Sequence, residues 1–305
     1  MKPHHLLAVL LSLGICNTAR ADALWPPPSL RQMVKASEHI IVGFVADTFF
    51  RAGWGLGARI AVLEQLQRTI NSDTIEVPYS PGSICPPSAE YFPGTYVLAF
   101  LQMHNGIFFT CNEALGAKNL TKEEIEVYKK RITEAQGIQN MTDSAATSRA
   151  IIEWLVKCTE QTATFWDGAL ELTPAGEKKD SIRRLLSPEQ RRRLKSAVLA
   201  NARLFAHRLS YEHFDLIDLV YEGNEQEVDS FLWDEFTQLP DDQAYMSYEY
   251  MKRLKHLAPS PQMTALMAQY EGLPWYAHSA HLALARQFIA LVESTKKKAR
   301  MHAKH

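Results

Sequence analysis

The apolar residues of this chain change their spacing once, near residue 115, and that change limits what the chain can fold into. Up to Cys111 they come in short β-branched and aromatic runs: His39–Phe50, Ala58–Leu66, Thr74–Tyr79, Tyr96–Leu101 and Ile107–Cys111. Gly and Pro punctuate these runs, as expected of strands packed on a core. Asn105-Gly106 lies between the last two and is a tight-turn signal, so they read as a hairpin. From Thr121 onward the spacing is helical. Thr121 and Glu124 form a capping box ahead of Ile125, Tyr128 and Ile132, and Gly137 stands where that helix can end. Ser148–Glu160 carries Ile151, Ile152, Leu155 and Val156 on one helical face, and Ser187-Pro188-Glu189-Gln190 is a cap, first-turn proline and box residue in order. Further caps stand at Ser210, Asn224 and Ser260, and Pro274 opens the last helix. No strand is expected after Cys111.

The pattern predicts an α+β chain: a small antiparallel five-stranded barrel followed by an all-α helical array. Residues 22–140 form the barrel domain with flanking helices, residues 141–295 the helical domain, and residues 296–305 a basic tail. The small polar run Thr142–Ser148 marks the border. No constant period with repeating residues runs through the helices, so the array is not a regular repeat by sequence.

Residues 1–21 have the three parts of a secretory signal peptide. Lys2 gives a positive start, Leu6–Cys16 an apolar run too short to span a bilayer, and Ala19-Arg20-Ala21 a small-x-small cleavage site. Ile15 before Cys16 is not the small residue that lipid attachment wants, so release as a soluble periplasmic or secreted protein is expected, and the mature body is slightly acidic. The leader takes one of the 4 cysteines with it. Of Cys85, Cys111 and Cys158, the first two bracket a strand in the β-rich half and are the expected disulfide, which closes its loop for about 3 kcal/mol. Cys158 lies in a helical pattern and reads as a small buried hydrophobe.

Chemistry-bearing motifs are few. Gly53-Trp54-Gly55-Leu56-Gly57 lacks dinucleotide-loop spacing and reads as a hairpin loop presenting Trp54 as a contact residue. His278 and His281 share a helix face, but two imidazoles without further ligands do not make a metal site, and no cofactor is implied. Neither a serine elbow nor a cysteine nucleophile signature occurs. The net charge of −1 argues against a nucleic-acid partner. The basic end, Lys296–Arg300, allows at most a peripheral contact with an anionic membrane. Tyr245, Tyr248 and Trp275 lie in aromatic stripes that can anchor a partner.

Residues 29–137 resemble the netrin-like, tissue-inhibitor-of-metalloproteinases-type OB-fold module. The likeness lies in Ile41-Val42-Gly43-Phe44-Val45, then Cys85-Pro86, then Gly94-Thr95-Tyr96-Val97-Leu98-Ala99-Phe100 entering a strand. Trp154-Leu155 to Trp166-Asp167-Gly168 makes the second half loosely similar to HEAT-type helical repeats. The first resemblance implies the barrel but not metalloproteinase inhibition, because that chemistry needs a mature N-terminal cysteine and cleavage here exposes Asp22. The expected function is therefore that of an exported, soluble, non-enzymatic protein that binds or scaffolds another protein. The alternatives are an envelope-processing hydrolase built from His207, His213, His278 and His281 with carboxylates, or a protease inhibitor acting through the loop Arg51–Gly57. Intact mass and N-terminal sequencing of the exported form check the leader: the mature chain is expected to begin at Asp22, and a chain retaining Lys2 would exclude it.

Overall fold

In the computed structural model, which describes residues 28–53, 55–80, 89–173, 178–204, 209–221, 225–274 and 276–302, Ser29 closes a capping box with Gln32 and starts α1 (Leu30–Ala36). The fold is α+β. It has one antiparallel sheet of six strands and eleven α-helices among the described residues, most of the helices in the C-terminal part. The long hairpin of β1 (His39–Arg51) and β2 (Gly55–Gln67) is the spine of the sheet. β3 (Thr74–Tyr79) adds to β2, and β4 (Tyr96–His104) pairs with β1. The far edge of β4 is shared: Leu101–His104 pairs with β5 (Ile107–Thr110) and Tyr96–Ala99 with β6 (Ala117–Leu120). Asn105 and Gly106 both have positive φ, 50° and 78°, as the tight turn between β4 and β5 requires.

Two expectations for the sheet are corrected. β6 is a sixth strand, after Cys111. Its residues Ala117-Lys118-Asn119-Leu120 have little strand propensity, and pairing with β4 rather than local preference makes them extended. The sheet is also not closed into a barrel. β5 comes beside β3, but among the described residues no ladder joins them. A four-residue β5, sharing its neighbour with β6, leaves little edge to complete the circuit. Three register shifts along β1 nevertheless curl the sheet around Ile41, Val45, Ile60, Val77, Val97 and Leu101.

The other face of β1 and β4 is buried as well, through Ile40, Leu98 and Phe100. The helices at that face are α1 and α2 (Lys122–Gln139), which pack together. Gln67 Nε2 donates to the Ser37 carbonyl (2.6 Å) and Gln136 Nε2 to the Leu66 carbonyl (3.1 Å), so both helices are hydrogen-bonded to β2. α2 opens with the Thr121–Glu124 box but runs through Gly137, whose carbonyl accepts from Asn140. The run expected as a linker starts α3 (Ser144–Thr159) instead, because the Asp143 side chain caps the Ala146 N–H (2.6 Å).

The chain separates into two units, Met1–Glu171 and Leu172–His305, so α3 and most of α4 (Phe165–Leu172) go with the sheet. The reason lies in the Trp154 to Gly168 stretch. Trp154 Nε1 donates to the Arg131 carbonyl (2.9 Å), joining α3 to α2. The buried Asp167 carboxylate accepts from Tyr128 of α2 (2.7 Å) and Lys118 of β6 (3.3 Å), and Glu171 pairs with Arg31 of α1. Gly168 lets α4 lie directly on α3: a Cβ there would stand 2.6 Å from the Leu155 carbonyl oxygen and 2.9 Å from Cys158 Cβ.

In the second unit the described residues form α5 (Lys178–Leu185), α6 (Pro188–Leu204), α7 (Tyr211–Val220), α8 (Gln226–Thr237), α9 (Ser247–Leu254), α10 (Pro261–Glu271) and α11 (His278–His302), with a 3-10 turn at Asp241–Met246. Tyr250 is fully buried at their centre, edge-on to Phe214 (4.8 Å) and stacked on Phe236 (5.4 Å). The basic end is not a separate tail as far as His302. It continues α11, and Lys296 Nζ sits 4.1 Å from the centre of the Trp233 ring. The last helix begins at His278 rather than at Pro274.

Two glycine substitutions are expected to have opposite signs. Gly168→Ala forces a clash against backbone and lowers stability by about 1–3 kcal/mol. Gly137→Ala has nothing within 4 Å and gains about 0.5–1 kcal/mol from helix propensity. Thermal unfolding of both variants checks this, and a Gly168→Ala protein as stable as wild type would refute the close packing of α4 on α3.

Candidate functional site

The second unit carries a cleft of about 690 Å³ walled by Tyr211, Tyr245, Tyr248 and Tyr270. Its position follows from a buried arginine. Arg253 on α9 donates through Nε and Nη2 to both oxygens of Asp218 on α7, at 2.7 Å each, and through Nη1 to the Glu249 carboxylate (2.6 Å). Its guanidinium lies 4.7 Å from the centre of the Phe214 ring. Residues 211, 214 and 218 share one face of α7, so the contacts that hold Phe214 and Asp218 on Arg253 also bring Tyr211 towards the start of α9. Tyr245 lies near the end of the 3-10 turn there and Tyr248 in the first turn of α9.

The opposite wall comes from α10 and α11. Tyr270 is buried, and its hydroxyl donates to the Ala244 carbonyl (2.8 Å), joining α10 to the 3-10 turn. Its ring stacks with both Tyr248 (5.5 Å, 26°) and His281 (4.6 Å, 18°). Tyr248 donates its hydroxyl to the Glu271 carboxylate. Leu273 and His278 complete the lining. His281 is only 4% exposed, and its Nδ1 is buried without a hydrogen-bond partner in the protein.

These environments shift the titrating groups. The bond to Glu271 pushes the Tyr248 phenol up to about 12, and burial pushes Tyr270 up to about 12. Burial, then the charge of Glu249, raises Tyr211. Burial first, and His278 second, hold the His281 imidazole below its ordinary 6.5. Among the described residues the lining therefore combines three raised phenols, a buried imidazole held below its ordinary value and the Glu271 side chain, with no lysine or arginine.

No family model, curated protein or solved structure matches this chain.

Of the expected contact residues, Tyr245 and Tyr248 come together in the cleft, while Trp54 and Trp275 lie outside the described residues. Leader residues 1–21 also lie outside them. Cys111 is a free, buried thiol, and its expected disulfide partner Cys85 is another residue outside the description. Burial raises the thiols of Cys111 and Cys158, in keeping with a structural part for Cys158. Of the four histidines, the three described do not gather at one place. His278 and His281 share the cleft with Glu271, His213 is buried in α7 with its Nδ1 at the Ser210 cap, and His207 is outside the described residues. Among the described residues no three His, Cys, Asp or Glu side chains come close enough to hold a metal, and no helix is long and apolar enough to cross a membrane.

Sequence reasoning missed Tyr211 on α7 and the adjacent Tyr270 and Glu271 at the end of α10. It also missed a second His–carboxylate cluster. His256 contacts Asp229 through Nε2 (2.9 Å) and the Arg253 carbonyl through Nδ1 (2.8 Å), and Tyr221 donates to the other Asp229 oxygen (2.7 Å). Every ring nitrogen and carboxylate oxygen there is partnered, so the cluster fastens α8 to the end of α9.

The depressed His281 gives a signed pH prediction. As pH falls, the unfolded imidazole takes up its proton at the ordinary 6.5, before the folded one does. The stability tied to this group is complete above that value and is lost as pH falls through the lower folded value. Between about pH 7 and pH 5 the wild-type unfolding midpoint should fall more steeply than that of His281→Gln. Equal slopes would show that the imidazole is not buried in its neutral form.

Proposed function

We propose that this is an exported, soluble, non-enzymatic protein that binds a protein partner through the tyrosine-lined cleft of its second unit. One observation carries the reading: the cleft couples a fixed aromatic floor to an exposed aromatic rim. Tyr270 and His281 are buried and stacked, whereas Tyr211 and Tyr245 are 55% and 46% exposed. Interface hot spots share this anatomy, because a tyrosine offers a large, rigid contact area at little entropic cost. The leader supports export. The curl and register shifts of the sheet support an OB-like reading of the first unit, in line with its resemblance to netrin-like modules. The HEAT-type resemblance of the second half is kept on the same footing.

A hydrolase is the second reading, favoured by the meeting of His278, His281 and Glu271 in one cleft. It needs a nucleophile or an activated water beside them, and the hydroxyls of the described lining are phenols, three of them raised. That is a poor supply for attack on a carbonyl at neutral pH.

Retention of the partner from the native compartment tests the leading reading. A Tyr245→Ala/Tyr248→Ala double variant, folded by circular dichroism, is expected to retain at least about tenfold less of the partner that wild type enriches, two hot-spot truncations each costing about 1–2 kcal/mol. Unchanged retention would move the interface elsewhere.

A further inference from the structure

The lining of the cleft has a definite chemical preference. Its carboxylate, Glu271, uses Oε1 to accept from Tyr248. The imidazole of His281 is held neutral and lacks a partner at Nδ1. In the Tyr248–Tyr270–His281 stack, Tyr248 has Tyr270 as its one ring partner among the described residues and is itself partly exposed. A group suited to this place is planar, so that it extends the stack. It carries positive charge for the carboxylate and N–H donors for the oxygen that Tyr248 leaves free.

A guanidinium has all three properties, whereas an ammonium is a compact point charge without a face. The second unit already uses this combination inside its core, where Arg253 lies over Phe214 and is bonded to Asp218 and Glu249. The volume of about 690 Å³ admits a long side chain together with part of the backbone that bears it.

We propose that the cleft receives an arginine side chain of the partner, its guanidinium stacked on the partly exposed Tyr248 ring and hydrogen-bonded to Glu271. This rests on the protein-partner reading above and names the group that the partner inserts. The stack sets the plane of the incoming group, and the carboxylate selects its charge.

The test titrates the full-length mature protein with three blocked amino acids, N-acetyl-arginine amide, N-acetyl-citrulline amide and N-acetyl-lysine amide, reading side-chain NMR shifts of Tyr248, Tyr270 and His281. Citrulline has the shape of arginine without its charge, and lysine the charge without the plane. The arginine probe is expected to move these resonances and to bind about tenfold more tightly than either of the others. Glu271→Gln keeps an oxygen for the Tyr248 hydroxyl, so the stack persists, and it should weaken arginine about tenfold while leaving citrulline unchanged. Citrulline or lysine binding as well as arginine would overturn the assignment. So would an arginine affinity unaffected by Glu271→Gln, shifts confined to residues outside the cleft, or no shift at about 50 mM probe, a concentration that reveals even contacts of a few kcal/mol. If the arginine probe fails while partner retention still depends on Tyr245 and Tyr248, only the guanidinium assignment falls. Should the probe bind while retention ignores those tyrosines, the partner reading falls and the proposal with it.

Discussion

The buried guanidinium of Arg253 is the constraint around which the second unit is arranged. A charge removed from water must be compensated within the protein, and the cost of leaving it unpaired is several kcal/mol, by general estimates of about 3–5. Arg253 side-chain exposure is 6%, so its partners are not optional. Asp218 and the Phe214 ring come from α7 and Glu249 from one turn earlier on α9. The angular position of α7 on α9 is therefore fixed by hydrogen-bond geometry rather than by apolar contact alone. The bidentate bond to Asp218 and the ring over which the guanidinium lies each specify a direction. Tyr211, one helical turn before Phe214, inherits its place at the cleft from that arrangement.

The first unit answers the same requirement with the opposite charge. Asp167 brings a carboxylate into a nearly closed site, and Tyr128 and Lys118 supply the donors that offset its desolvation. Those donors come from α2 and β6, so satisfying one charge draws a helix and a strand onto α4. The absent side chain at Gly168 allows α4 to come near enough for this to happen. Charge compensation thus assigns α3 and most of α4 to the sheet, although their helical spacing resembles that of the helices after them.

How much of this was legible follows from the range of each interaction. The capping boxes at Thr121 and Ser187, and the Asn105-Gly106 turn, are satisfied within three or four residues, and all are found where the sequence put them. Features that depend on partners far along the chain were not legible. β6 is extended because β4 offers it an edge, and the sheet stays open because β5 and β6 divide that edge between them. Asp143 was read as part of a linker, although its cap is as local as the others; the small polar residues after it hid a helix start. Tyr245 and Tyr248 could be named from their aromatic stripe. Tyr270, Glu271 and Tyr211 gave no sign of joining them, since the stack of Tyr270 on Tyr248 and the Tyr248–Glu271 hydrogen bond exist only across helices. Two histidines on one helix face were set aside for want of further ligands. That excluded a metal site but left open stacking on tyrosine, the role that His281 takes.

The two histidine clusters of the second unit show which polar groups serve the fold and which are left for something else. At His256 both ring nitrogens are bonded, and both Asp229 oxygens have partners. At His281, in the same unit, one nitrogen is buried without any, which costs about 1–3 kcal/mol by the usual penalty for an unsatisfied buried group. An apolar residue of similar size would fill the stack on Tyr270 without that penalty. Retaining an imidazole there makes sense if its polarity is used when the cleft is filled, because a donor arriving with a ligand, or a small rotation within the stack, then recovers what the free protein forgoes. The cost is borne where the rim is aromatic and exposed and the carboxylate is nearby, so the unsatisfied nitrogen, the partly exposed Tyr248 ring and Glu271 lie together in the one cleft.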